Sequence, residues 1–263
     1  MVEARLRGGI ITGHDHTIRK KNCQDGYHFE QVDIEGKKYW IGAVSDGCSQ
    51  GNKSEVGALL LPLFVVQQIK CLLSKKTPLV HIPYYLYSYI IGFLEGIRKS
   101  IPSIGNVTES INFVQSYLLA TVLAFVVDSQ NFIVFHAGDG YVVLNERIIR
   151  IEHDNRSPYI GYHLVPRASL IAEASRLPNN FTIERFRRLK TKNIKRLAIV
   201  TDGFSDDLLK RLWQESYDVP LGLQLWMNKI NGPRNNYQEE GIFVDDAAIV
   251  VFERNNEGGG DDE

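Results

Sequence analysis

The sequence predicts an α+β fold in which antiparallel sheets are covered by helices, on three observations. Leu118 to Val127, Asn131 to Ala137 and Tyr141 to Ile151 read as strands joined by turns too short to hold a helix. Such neighbours must be antiparallel, because a parallel crossover needs about a dozen residues or more. The order of elements is strands, two helices, strands, helices and a last strand, which fits sheets with helices packed on them. Finally, 263 residues with 44% hydrophobic and 23% charged content suit one large domain with a sizeable core.

In chain order, strands are expected at Arg5 to Gly13, Gly26 to Val32 and Lys38 to Ser45. Each is rich in β-branched or aromatic residues and ends near Gly, Asp or His. Lys53 to Ser74 changes period. Val56, Leu59, Leu60, Leu63, Val66 and Ile69 form a broad helical apolar face, with Ser54 as its expected cap. A second helix, Tyr84 to Lys99, follows a break at Pro83, and Ile101 to Thr108 reads as a loop. After the three strands, residues 153–188 have weak periodicity and read as an irregular, partly helical insertion. Leu197 to Thr201 is a strand, Asp206 to Glu215 and Leu221 to Lys229 are helices, and Ala247 to Phe252 is the last strand. One domain therefore spans residues 1–254, followed by a tail, NNEGGGDDE, too polar to order itself.

The bulk numbers exclude some classes of function. A net charge of -1 with no basic segment gives no reason to expect nucleic acid. The apolar stretch from Val56 to Val66, interrupted by Pro62, is too short to cross a membrane. MVEARLRGGI lacks the apolar run of a signal peptide. Three cysteines, Cys23, Cys48 and Cys71, show no metal-ligand spacing and read as reduced thiols, which predicts a cytoplasmic protein.

Four segments share one shape, an apolar strand that stops on a carboxylate or starts just after one. They are IGAVSDG with Asp46, FIVFHAGDG with Asp139, LAIVTDG with Asp202, and VDDAAIVVF with Asp245 and Asp246. A single Asp-Gly is ordinary turn chemistry. Four at strand ends can converge on one rim of a sheet, where they would raise one another's pKa unless cations neutralise them. Hard oxygen donors of this kind suit Mg²⁺ or Mn²⁺. Upstream, GHDHTIRKKNCQDGYHF places Arg19, Lys20 and Lys21 just before Asp25, a basic turn that could meet an anion or merely solvent.

KKNCQDGYHF, AVSDGCSQGNKSEVGA, ATVLAFVVDSQNFIVFHAGDGYVVL, LAIVTDGFSDD and DDAAIVVF occur in the order and spacing of the PPM-type, protein phosphatase 2C-like phosphatases. The chain resembles the bacterial branch of that family over roughly Gly13 to Phe252. The resemblance implies two packed antiparallel β-sheets flanked by helices, an α-β-β-α sandwich, with a binuclear metal centre at one edge. It implies a phosphoserine/phosphothreonine phosphatase acting on phosphorylated proteins, with a cognate serine/threonine kinase as a further partner. By resemblance, Asp46 bridges two Mn²⁺ or Mg²⁺ ions, the Gly47 carbonyl is a neighbouring ligand, and Asp202 and Asp245 complete the first metal's shell. Asp139 matches a ligand of a third, weaker metal. Asp25 matches a carboxylate that orients water, and Lys20 falls where the family has a phosphate-binding arginine. Residues 153–188 would form a substrate-sensing flap.

Three residues depart from the pattern: Gln24 for glutamate, Lys20 for arginine, and Cys48 where animal members have a histidine. Lysine offers a point charge rather than a fork, so Arg19 could take over the phosphate. These departures leave open a pseudophosphatase that binds phosphoproteins or kinases without turnover. A P-loop nucleotidase is the remoter rival, since GCSQGNKS has Asn52 where its second glycine is required. A cysteine phosphatase fails because no arginine stands six residues after any cysteine.

Overall fold

Two five-stranded antiparallel sheets lie face to face in a computed structural model that describes residues 4–101, 106–153, 157–166, 179–184, 191–214, 222–232 and 242–254. The first sheet contains β1 (Ala4–Ile11), β6 (Gly140–Leu144), β7 (Arg147–Ile151), β9 (Arg196–Val200) and β10 (Ala247–Arg254), in the order β1-β10-β9-β6-β7. The second contains β2 (Asp25–Ile34), β3 (Lys37–Asp46), β4 (Val122–Val127), β5 (Phe132–Ala137) and β8 (Thr182–Glu184), in the order β2-β3-β4-β5-β8. Every pairing is antiparallel.

Side chains alternate along each strand, so the longer strands feed two cores. Trp40, Val44, Phe125, Val142, Ile199, Val250 and Phe252 meet between the sheets. The opposite face of the second sheet offers Ile41, Ala43, Ala124 and Val126 to α2 (Glu55–Ser74) and α3 (Ile82–Lys99). The opposite face of the first offers Ala198, Val200, Ile249 and Val251 to α5 (Asp206–Gln214) and α6 (Gly222–Ile230). Phe125, Phe135 and Phe252 are fully buried, each contributing about 1.5–3 kcal/mol of transfer free energy. The expected α-β-β-α sandwich is what forms.

Several local expectations need correction. Tyr141 to Ile151 is two strands, β6 and β7, because Asn145 turns the chain with φ 54. Leu118 belongs to a π-turn, Val114–Leu118, that follows α4 (Val107–Phe113), and β4 starts only at Val122. Ser54 precedes α2 but makes no side-chain cap; its Oγ is buried without a partner. Pro83 lies in the first turn of α3 and Pro62 inside α2, so neither ends a helix. With Pro62 included, α2 has the length and mean hydropathy (1.9) of a membrane span. Its Ala58, Leu61, Val65, Ile69 and Leu72 nevertheless pack on the second sheet at 0–3% exposure. A short helix, α1 (His14–Ile18), had no counterpart in the sequence reading. Within the expected insertion, residues 160–164 form a 3-10 turn and β8 adds a strand to β5. The tail, residues 255–263, lies outside the described residues.

Candidate metal centre

A two-residue turn sets the register that begins the site. Glu35 and Gly36 have φ of 53 and 78, the left-handed pair a tight hairpin with right-handed twist demands. Ile34 therefore faces Lys37, and every later pair follows, until Asp25 faces Asp46 at the far end. Asp46 is braced from the next strand: its N–H donates to Thr121 Oγ1 at 2.8 Å, and its carbonyl accepts from Thr121 N–H at 2.8 Å. Gly47 N–H donates to the Gln24 carbonyl, tying the two motif segments together.

The first sheet supplies the rest. Thr201 and Asp202 follow β9, and Asp245 and Asp246 precede β10, its antiparallel neighbour. Thr201 links the sheets, donating its hydroxyl to Asp25 Oδ2 at 2.6 Å and accepting from Ala248 N–H at 2.8 Å. Asp139 sits in the connection from β5 to β6, which passes from one sheet to the other. Its carboxylate meets His153 Nδ1 at 2.6 Å and accepts from the Ser157 hydroxyl.

These residues surround a cavity of about 330 Å³. Asp46, Gly47, Asp139, Asp202, Asp245 and Asp246 line it, with Gln24, Cys48 and His16. Ser157, Tyr159 and Tyr162 close one side, so the described start of the flap-like segment does reach the site. Asp25 stands behind Asp46, at 1% exposure, rather than in the cavity wall. Arg19 and Lys20 are exposed on the turn after α1 and do not line the cavity. Arg19 lies 3.8 Å from Asp15, and Lys20 adopts φ 55.

The electrostatics reveal what the cavity lacks. Burial first, then neighbouring carboxylates, pushes Asp25 and Asp46 well above the usual carboxylate range. Asp25 faces Asp46 across the β2–β3 pair, and its charge opposes ionisation of Asp46. Asp202 is raised by burial and by Asp245 and Asp139, with Arg150 opposing the rise. Burial, followed by Asp46, also raises Tyr159. Among the described residues lining this cavity there is no lysine or arginine, and His16 is the only side chain able to turn positive. An all-oxygen, uncompensated donor set fits hard divalent cations.

Sequence reasoning placed Asp246 among the carboxylates but gave it no role of its own, and it overlooked His16, Thr121 and Thr201. Asp246 is almost fully buried, accepting from Gly13 N–H at 2.8 Å and Gln24 N–H at 2.5 Å, and meeting His16 Nδ1 at 2.5 Å. His16, Asp245 and Asp246 bring their ligand atoms within 4.8 Å of one another. Because both Asp246 oxygens are already engaged, that trio is a clamp: it fastens the segment from Gly13 to Gln24 to the start of β10. Only glycine fits at position 13, since a Cβ there would lie 2.2 Å from the Asp245 carbonyl carbon. Thr121 and Thr201 could have been suspected as polar residues beside wholly apolar strands.

Residues 12–226 match the family described as Protein phosphatase 2C. The chain belongs to that family. Membership makes it, by class, a protein serine/threonine phosphatase. Asp245 lies beyond the matched residues, so its place in the site rests on the geometry above. The fold is shared with a bacterial serine phosphatase at TM-score 0.56 and 13% identity, covering 97% of this chain and 98% of that one. Serine/threonine phosphatase Stp1 from Staphylococcus aureus gives 0.52 and 14%, covering 96% and 95%. The catalytic domain of serine threonine protein phosphatase PstP, solved with two manganese ions, gives 0.52 and 14%, covering 97% and 99%. No curated protein matches the chain.

Proposed function

We propose that this protein phosphatase hydrolyses phosphoserine and phosphothreonine in proteins with two divalent cations, Mn²⁺ or Mg²⁺. One observation carries the reading: carboxylates from both sheets converge on one cavity, and no lysine or arginine is among the described residues that line it. Asp46 would serve both ions, the Gly47 carbonyl one of them, and Asp202 and Asp245 the other. Bound there, the cations supply Lewis-acid charge to the phosphoryl oxygens and lower the pKa of a water. The PstP structure with two manganese ions supports this choice. Asp25, held by Thr201 and facing Asp46 across the β2–β3 pair, would help keep Asp46 aligned. Tyr159 and Tyr162 shield one side of the cavity from water. The three free cysteines support a reducing cytoplasm as its location.

The test is hydrolysis of p-nitrophenyl phosphate and of a phosphoserine peptide. We expect turnover that needs Mn²⁺ or Mg²⁺, stops with EDTA and returns on adding metal. An undiminished rate in excess chelator would overturn the mechanism. Failure to hydrolyse either substrate with metal would favour a binding protein that recognises phosphoproteins. That second reading draws on one observation: the two expected phosphate grips, Lys20 and Arg19, do not line the cavity.

Asp139, with Asp202, would hold a third and weaker cation. Asp139→Ala is then expected to lower turnover about tenfold or more while calorimetry still finds the tight sites. Loss of tight binding in that variant would remove the distinction between the sites.

A further inference from the structure

Two more cavities open beside the carboxylate cavity. One, of about 210 Å³, shares Asp139 and Asp202 with it. The other, of about 540 Å³, shares Asp202 and Asp245 and runs on past Phe204, Leu208 and Val244. Arg150 lines both, and among the described residues no lysine or other arginine lines any of the three. Its guanidinium lies 5.8 Å from the centre of the Tyr141 ring, which is buried and so gives it a fixed shelf. Its Nε meets Glu152 Oε1 at 2.7 Å, but both side chains are about three-fifths exposed. An ion pair that open to water is worth little and exchanges readily for another carboxylate.

We propose that Arg150 recognises an acidic side chain next to the phosphoresidue of the substrate, which makes acidic phosphopeptides the preferred class. This rests on the phosphatase reading above. Arg150 borders the carboxylate cavity without lining it, so it is placed for a neighbouring residue rather than for the scissile phosphate. Among the described residues lining these cavities it is also the one fixed positive charge, in a region otherwise dominated by carboxylates that repel an acidic peptide. Further along the larger cavity, Asp206 and Asp207 disfavour acidic residues, and the exposed Val244 offers an apolar rest. The acidic preference is therefore confined to positions close to the phosphoresidue.

The test uses Mn²⁺-loaded protein and fluorescein-labelled peptides carrying a non-hydrolysable phosphonate in place of phosphoserine. Glu, Gln or Lys is placed in turn at the two positions on either side, and affinity is read by anisotropy. At one of these positions Glu is expected to bind roughly three- to tenfold more tightly than Gln, the range of a charged contact at a part-exposed site. Arg150→Ala should bring that ratio to about one, and Arg150→Glu should reverse it in favour of Lys. The reversal cannot arise from unfolding. Equal affinity for Glu and Gln in the parent protein, or an acidic preference that survives Arg150→Ala, would overturn the proposal. Hydrolysis of p-nitrophenyl phosphate, which has no flanking residue, tests the phosphatase reading separately.

Discussion

Asp46→Asn is expected to abolish turnover and, in the same protein, to raise the stability of the metal-free state. Removing a single preorganised charge partner costs about 10²–10³ in rate, and a carboxylate proposed to serve both cations should cost at least ~10³. The stability effect runs the other way. In the metal-free chain, burial and the charges of Asp25, Asp202 and Asp245 hold Asp46 away from its ionised form. Asparagine is neutral at every pH and so relieves that strain, and its amide N–H can donate to Asp25. Each pKa unit of strain relieved is worth about 1.4 kcal/mol, and 1 kcal/mol moves Tm by about 2–4 °C in a chain of this size. A variant with parental turnover would remove Asp46 from the metal site. One inactive but less stable without metal would show that the carboxylates do not repel.

Between pH 5 and pH 8, the chelated protein is expected to lose stability as pH rises. Asp25, Asp46 and Asp202 have folded pKa values raised above those of the unfolded chain, where carboxylates titrate near 3.9. Above that value the folded state holds more protons than the unfolded, so unfolding free energy falls with pH. The contribution is complete below the unfolded pKa and is lost as pH passes through the raised folded values. Glu30, Glu95 and Glu253 are shifted the opposite way by their cationic partners, but their loss begins only near and below the ordinary glutamate pKa. Starting at pH 5 keeps these two effects apart, while His136, shifted down from 6.5 by burial, opposes the fall as one group against three. Saturating Mn²⁺ should flatten the slope, because cations do at pH 8 what protons do at pH 5. A hundredfold excess over Kd adds about 2.7 kcal/mol, several degrees in Tm. Scanning fluorimetry in EDTA and in Mn²⁺ decides it. Equal Tm at both pH values in EDTA, or a slope that Mn²⁺ leaves unchanged, would refute this account.

The parts of the fold readable in the sequence are those where a local pattern and the tertiary structure agree. Apolar strands ending on Asp46, Asp202 and Asp245 give away both their own existence and the rim on which they meet. The β6–β7 hairpin hid because its turn uses Asn145 rather than glycine, and asparagine tolerates positive φ without announcing it. Five residues are too few for periodicity, so α1 could not be read. Backbone bonds from His14 to Phe243 and from Asp15 to Val244 fix it to a segment over 200 positions away. In the site, Asp25 was readable as a participant but not its depth behind Asp46. Asp246 looked like a duplicate of Asp245, yet the backbone N–H groups it accepts from come from Gly13 and Gln24. Arg150 carries no signature, since its importance comes only from which cavities adjoin it.

The pairing of β1 with β10 joins Ala4 to Arg254 and leaves the first sheet dependent on a strand that emerges from the ribosome long after β1. The hairpins β2–β3 and β4–β5 can zip up from near neighbours while synthesis continues. Until β10 arrives, β1 and β9 keep edges exposed that are prone to pairing with other chains. Asp245 and Asp246 arrive with that strand, so the nascent chain has neither its full carboxylate set nor its clamp on Gly13 and Gln24. The ability to hold cations is therefore acquired only when β10 docks, in the step that also seals the vulnerable edge.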